Sequence, residues 1–243
     1  MYVSPANQWR KRSVLVPVKA NLAGGIQDQI ARREAWEEIG LPMDDDKIPK
    51  PFKIEELCSI PFNLARNELI VRPVVALLHT TDDAATADPD REPSPLIEET
   101  MIPRLDAKEV AAVFSAPFYN FLKAKDHEPP EGSPPLPEGH WYDGSWIHWK
   151  DEPWRVHNFY VPVNNQRVTM PEDRNAPQGN LADKLVEEGA ERFKVWGMTA
   201  RILVDTARIA YGKDPEFECC AHYGDEKIIM MADAEGSFSD AKM

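Results

Sequence analysis

Residues 33–41 read Arg33-Glu34-Ala35-Trp36-Glu37-Glu38-Ile39-Gly40-Leu41. On a helix, Glu34, Glu37 and Glu38 stand at i, i+3 and i+4, so their carboxylates project from one face. Clustered carboxylates repel one another unless a cation lies among them, and ligands that are all oxygen suit magnesium or manganese. The spacing therefore fits a metal-binding helix. The three glutamates by themselves equally fit the solvated acidic face of an ordinary helix.

The surrounding sequence predicts a helix at about residues 27–41 with strands on both sides of it. Gly40 follows the last apolar residue and Pro42 lies just beyond, which is a common way for a helix to end. Apolar and β-branched runs predict strands at 13–18, 68–79 and 155–163. The middle run is almost continuously apolar, as in a strand buried on both faces. Apolar residues at helical spacing predict a C-terminal helix at about 193–211.

Loops separate these elements. Residues 82–95, 127–139 and 171–180 are rich in proline and polar residues without periodicity, which predicts exposed loops. Residues 232–243 are expected to form a flexible tail. A length of 243 residues, 42% of them hydrophobic, is sufficient for one substantial core. We therefore expect a single α/β domain over residues 1–243.

The charge balance limits the partners. The chain has 41 acidic and 28 basic side chains, a formal net charge of -13, so its overall field repels nucleic acid and anionic membrane surfaces. We expect neither as a partner. An anionic substrate would need a local source of positive charge, such as a bound divalent metal.

Cysteine content and hydropathy indicate an intracellular protein. No stretch approaches the roughly 18 to 20 apolar residues that cross a bilayer, and the N-terminal residues lack the apolar region of a secretory signal. The three cysteines, Cys58, Cys219 and Cys220, form no disulfide framework. Cys219, Cys220 and His222 have no second ligand pair at zinc-site spacing. We expect plain thiols.

Residues 33–41 resemble the second half of the signature of Nudix hydrolases, which reads G-x5-E-x7-R-E-U-x-E-E-x-G-U with U apolar. The extended run IARREAWEEIGLP at 30–42 is similar to the corresponding stretch of fungal coenzyme A diphosphatases, one branch of that family. Three more segments match that branch in the same order: VRPVVALL at 71–78, EVAAVFSAP at 109–117 and WGMTA at 196–200. The resemblance extends from about residue 30 to the end of the chain.

This resemblance implies a Nudix-type α/β/α sandwich with a mixed sheet, and a metal-dependent hydrolase. The implied substrate is coenzyme A or an acyl derivative, cleaved at its pyrophosphate to 3',5'-ADP and (acyl-)4'-phosphopantetheine. Glu34, Glu37 and Glu38 would hold Mg2+ or Mn2+, and Glu37, Glu38 and Arg33 would be the catalytic residues, with Arg33 pairing with a neighbouring glutamate. Glu109 is a candidate base, or else a solvated surface acid. ADP-ribose or another nucleoside diphosphate derivative is an alternative substrate.

The N-terminal side departs from the family pattern. Seven residues separate Gly25 from Arg33, whereas thirteen separate the corresponding glycine and arginine of the signature. Gly25 itself stands where the family has its first glutamate, and only Gly24 and Gly25 remain as candidates for substrate binding there. We therefore expect an incomplete N-terminal part of the sheet, with an exposed edge near residues 13–18. A catalytically impaired Nudix fold that binds a nucleotide or a protein is the alternative function.

The last three residues, Ala241-Lys242-Met243, resemble a relaxed form of the peroxisomal Ser-Lys-Leu address. This predicts recognition by a peroxisomal import receptor; without it the protein is cytoplasmic. A fluorescent protein that carries this tail is expected to accumulate in peroxisomes, as seen by microscopy. Deletion of Met243 should abolish the punctate pattern without affecting the fold, because terminal residues seldom contribute packing. A diffuse signal from the intact tail would contradict the prediction.

Overall fold

The computed structural model describes residues 2–4, 12–15, 27–65, 69–80, 100–101, 105–129, 131–149, 151–173 and 175–236. Ten strands lie in this part of the chain: β1 Tyr2–Ser4, β2 Arg12–Leu15, β3 Phe52–Ser59, β4 Asn63–Leu64, β5 Ile70–Val71, β6 Val74–Thr80, β7 Ser115–Pro117, β8 Tyr142–Trp149, β9 Glu152–Pro162 and β10 Arg192–Trp196.

The strands form three sheets. A five-stranded sheet has the order β3-β6-β2-β1-β7, and it is mixed because β1 pairs parallel with β7 while its other pairings are antiparallel. A three-stranded antiparallel sheet has the order β10-β9-β8, and β4 pairs with β5.

Four α-helices complete the described fold: α1 Gln27–Ile39, α2 Pro177–Glu187, α3 Gly197–Tyr211 and α4 Glu226–Ala234. Short 3-10 turns lie at Asp45–Lys47 and Phe118–Leu122. None of the described helices has the length and hydropathy of a membrane span. The mixed α/β architecture expected from the sequence is confirmed.

The largest apolar core lies around α3 and joins the two larger sheets. Ile202, Leu203 and Val204 of α3 are at most 1% exposed. They belong to one cluster with Phe159 and Val195 of the three-stranded sheet, and Val75 and Ala116 bring the five-stranded sheet into the same cluster. Burial of each large apolar side chain contributes about 1.5–3 kcal/mol. This core therefore holds α3 and both sheets together.

Four expectations from the sequence need correction. The predicted loop at 171–180 is wrong in its last part, because α2 begins at Pro177. The predicted exposed edge near residues 13–18 is wrong, because β2 lies inside the sheet and pairs with β1 and β6. The C-terminal helix begins at Gly197 rather than at Phe193. Residues 192–196 form β10 instead, with Phe193 and Val195 buried and the side chains between them exposed, as in a strand. The predicted tail at 232–243 overlaps α4, which ends at Ala234 and buries Ala232.

Buried charges join α3 to the chain that follows it. Arg201 pairs with Asp225 at 3.0 Å and Arg208 with Asp205 at 3.6 Å, and all four side chains are almost fully buried. Arg201 also donates to the carbonyl of Gly224 at 2.7 Å. A buried charge is tolerated when it is paired and hydrogen-bonded. The Arg208–Asp205 pair lies within α3, and the contacts of Arg201 with residues 224 and 225 hold the segment between α3 and α4 against the core.

His157 lies next to this network and is 2% exposed. Its Nδ1 is 3.0 Å from the hydroxyl of Tyr142. Burial, reinforced by the positive charges of Arg201, Arg155 and Arg208, lowers the pKa of His157 to about 3. The imidazole is therefore neutral in the folded protein at neutral pH.

This histidine should make stability fall with acidification. Its pKa of about 3 in the fold lies below the ordinary 6.5, so below pH 6.5 the unfolded chain binds the extra proton and the free energy of unfolding decreases. The slope contributed by one such group is at most about 1.4 kcal/mol per pH unit. We expect urea denaturation to show this loss between about pH 6.5 and 5, above the range in which most carboxylates titrate.

The matched variant is His157→Gln, which keeps a hydrogen-bonding side chain but cannot titrate. In this variant the free energy of unfolding should change less with pH over this range than it does in the parent protein. An equal slope in both proteins would show that another group is responsible.

Candidate metal-binding site on helix α1

Helix α1 packs against the five-stranded sheet through small side chains. Ala31 and Ala35 are 4% and 5% exposed, and they stand one turn apart on the same face. Ala35 and the following Leu41 belong to an apolar cluster with Ala76 and Leu78 of β6. The helix ends at Ile39, and Gly40 adopts a φ of 74°, a conformation that favours glycine.

The three glutamates of α1 differ in exposure. The side chain of Glu34 is 19% exposed and that of Glu37 is 47% exposed, while Glu38 is half-buried. Arg33 Nη2 lies 3.2 Å from Glu34 Oε1, and Arg33 Nη1 lies 4.0 Å from Glu37 Oε1. Arg33 is itself half exposed, so these contacts contribute little to stability. Their effect is to orient two carboxylates at the surface of the helix.

The turn at residues 105–110 contacts the end of the same helix. The backbone N–H of Asp106 donates to the carbonyl oxygen of Glu38 at 2.9 Å, and the Asp106 side chain accepts from the N–H of Lys108 at 2.9 Å. Leu105 is buried in the cluster that contains Ala35. Glu109 lies on this turn with an exposed side chain. The fold therefore holds the turn that contains Glu109 against the end of α1 through the backbone of Asp106.

The donor chemistry of α1 suits a hard divalent cation, because carboxylate oxygens are the ligands that Mg2+ and Mn2+ prefer. In the conformation described, no three His, Cys, Asp or Glu side chains among the described residues are grouped closely enough to hold a metal ion. Glu34 points its Oε1 towards Arg33 instead. Binding of one cation by the three glutamates would therefore require side-chain rotation on α1.

Several predicted site residues lie outside the described part of the chain. These are Gly24 and Gly25, the weak candidates for substrate binding, and the C-terminal Ala241, Lys242 and Met243.

Cys220, which is buried, and His222, which is exposed, both lie beside Arg201 of the buried network. Arg201 Nη1 lies 3.1 Å from Cys220 Sγ, and Arg201 Nη2 lies 3.4 Å from His222 Nε2. Burial raises the pKa of Cys219. Cys58, Cys219 and Cys220 form no disulfide bond with one another.

Sequence reasoning missed the charged face of α3. Arg201, Asp205 and Arg208 stand at i, i+4 and i+7, which places them on one helix face, and all three are buried. Charged residues at this spacing within an otherwise apolar helix were a signal that could have identified the network. Asp225, the partner of Arg201, lies beyond this helix, and no pattern in the sequence pointed to it.

No family model matches the chain. Its sequence is 30% identical over 199 residues to peroxisomal coenzyme A diphosphatase 1 of Saccharomyces cerevisiae, an alignment that covers 76% of this chain and 55% of the relative. The chain thus spans about half the length of that curated relative. The glutamate-rich helix and this similarity together relate the chain to the coenzyme A diphosphatases among the Nudix hydrolases.

Proposed function

We propose that this protein hydrolyses the pyrophosphate bond of coenzyme A or its acyl derivatives, giving 3',5'-ADP and (acyl-)4'-phosphopantetheine. The observation that supports the proposal is the set of three glutamates on α1 in a chain 30% identical to a coenzyme A diphosphatase over 76% of its length. A pyrophosphate ester is anionic, and the chain has a net charge of -13. The reaction therefore needs positive charge at the site.

Glu34, Glu37 and Glu38 would hold one or more Mg2+ or Mn2+ ions. When bound, these ions supply charge neutralisation of the diphosphate and lower the pKa of the attacking water. The residues of the chain contribute orientation. Arg33 contacts Glu34 and Glu37 and limits their rotamers, and the Asp106 N–H fixes the backbone of Glu38. Such supporting contacts typically change activity or metal affinity about 10- to 100-fold.

Glu109 is the candidate for the base that removes a proton from the attacking water. Its turn is held to α1 by the Asp106–Glu38 backbone hydrogen bond, and its side chain is exposed. A base needs access to water and proximity to the bound substrate. The contact of this turn with Glu38 supports the proposal of Glu109 as base, and a solvated surface acid is the alternative.

A second function is favoured by two specific observations. The carboxylates of α1 are not grouped around a common point in the described conformation, and the segment between Gly25 and Arg33 is six residues shorter than in the family signature. Both would be expected of a Nudix fold that binds a nucleotide or a protein without hydrolysis.

The peroxisome is the proposed location. The curated relative is named as peroxisomal, and the sequence ends in Ala241-Lys242-Met243, which would be bound by an import receptor.

The proposed activity predicts that purified protein releases 3',5'-ADP from coenzyme A in the presence of Mn2+ or Mg2+, as measured by chromatography. Glu38→Gln should lower the rate about 10- to 100-fold or more, because it removes a charged ligand without changing volume. Glu187→Gln, an exposed glutamate at the end of α2, should leave the rate unchanged. Absence of product from the parent protein would exclude the proposed hydrolysis and favour the binding function.

A separate measurement tests whether the metal site forms. At a free metal concentration of about 100 times Kd, binding stabilises the fold by about 2.7 kcal/mol, so Mn2+ should raise the melting temperature of the parent protein. Glu38→Gln should remove this shift while the metal-free melting temperature changes little, since it removes charge from a crowded acidic face. A parent protein with no metal-dependent shift would show that the glutamates do not form a site. A shift without product would show a metal site without substrate placement.

A further inference from the structure

Strand β8 has one unpaired edge among the described residues. It pairs with β9 through eight residues from Tyr142 to Trp149, and β10 lies on the far side of β9. Residues 145–148 are all exposed. Trp146 and Ile147 point to opposite faces of the sheet, and each is 43% exposed. Both faces of this edge therefore present a large apolar side chain to solvent.

The other long sheet edge is protected in the ways that natural proteins use against strand pairing. Strand β3 has charged side chains at Lys53, Glu55 and Glu56, and its pairing with β6 is interrupted by an irregularity between Glu56 and Cys58. Charges and bulges on an edge strand discourage the addition of another strand. The remaining edges are short, since β7 has three residues and β10 has five.

Strand β8 has none of these protections after its second residue. Residues 144–149 are Gly-Ser-Trp-Ile-His-Trp, without a proline or a lysine, arginine, aspartate or glutamate. The register with β9 runs without a shift from one end to the other. A long, regular, uncharged edge with exposed apolar side chains is a surface on which another strand adds readily.

We propose that β8 pairs with β8 of a second copy of this chain, antiparallel across a two-fold axis, so that two three-stranded sheets become one continuous sheet. In this arrangement Trp146 meets its own copy, and such an aromatic pair across two strands is favourable. With Trp146 opposite its own copy, Ser145 stands opposite Ile147 and Gly144 opposite His148. Asp143 then faces Trp149, so no like charges oppose each other.

The conformation of Trp146 supports this pairing. Its Nε1 donates to Glu218 Oε2 at 2.9 Å, and the guanidinium of Arg155 lies 5.4 Å from its ring centroid. The ring is thus held in place before association, which reduces the entropy lost by ordering it in an interface. A second copy is the occupant that this edge favours, because antiparallel pairing about Trp146 places two indole rings opposite each other and opposes no like charges over residues 143–149.

The net charge of -13 on each copy opposes association through long-range repulsion. Salt screens this repulsion but leaves the uncharged β8 contact unaffected. The dimer is therefore strengthened by moderate salt, which is the opposite of the behaviour of an interface held by ion pairs.

Sedimentation velocity and light scattering on the full chain test the proposal. The parent protein is expected to be a dimer that dissociates on dilution, with a lower dissociation constant in added salt. Ile147→Lys places a charge in the edge and should give a monomer with an unchanged circular dichroism spectrum and melting temperature. The matched control is Leu57→Lys, an exposed apolar residue on the protected edge strand β3, at 52% exposure; this variant should remain a dimer.

Hydrogen exchange identifies the edge independently of the variants. The outward amides of β8 should become more protected as the concentration of the parent protein rises, and those of β3 should not. A parent protein that is monomeric at every concentration overturns the proposal. So does a dimer in which Ile147→Lys associates as well as the parent, since the contact would then lie elsewhere.

Discussion

The buried ion pair between Arg201 and Asp225 is the contact on which the arrangement of the C-terminal half depends. The two side chains are 2% and 0% exposed and lie 3.0 Å apart. The Asp225 carboxylate also accepts hydrogen bonds from the N–H of Leu64 and the indole of Trp154, each at 3.1 Å. One carboxylate thus links α3, β4, β9 and the start of α4. Removing either partner of such a pair costs about 3–5 kcal/mol, because the other charge remains buried.

The sequence predicted local features better than contacts between distant segments. The helix around Glu34, Glu37 and Glu38 follows from residues within a few positions of one another, and α1 forms there. The exposed edge expected near residues 13–18 was wrong because pairing of β2 with β1 and β6 joins residues far apart in the chain, such as Ser13 and Leu78. A pattern within one strand contains no information about its neighbours in the sheet.

The start of α3 shows a different limit. Phe193 and Val195 match an alternating strand pattern, whereas together with the apolar residues that follow they also fit a helix. The structure resolves this ambiguity at Gly197, whose φ of 62° separates β10 from α3 in a conformation that other residues seldom adopt. The side-chain rotamers on α1 are likewise not determined by the sequence pattern. The spacing of the glutamates predicted a shared helix face, but the contact of Glu34 with Arg33 depends on rotamers that spacing does not specify.

The two kinds of charge cluster in this protein have different physical solutions. On α3 the charges are buried, and arginines offset aspartates within the fold, so the network needs no external ion. On α1 one half-exposed arginine, Arg33, contacts two of the three glutamates, Glu34 and Glu37, so most of the carboxylate charge of this helix lies near its surface. The apolar contacts of Ala35 and Leu41, rather than the glutamates, hold α1 to the sheet. A cation that bound the glutamates would therefore relieve repulsion on a helix that is already in place, and ligand chemistry on α1 can vary without loss of the core.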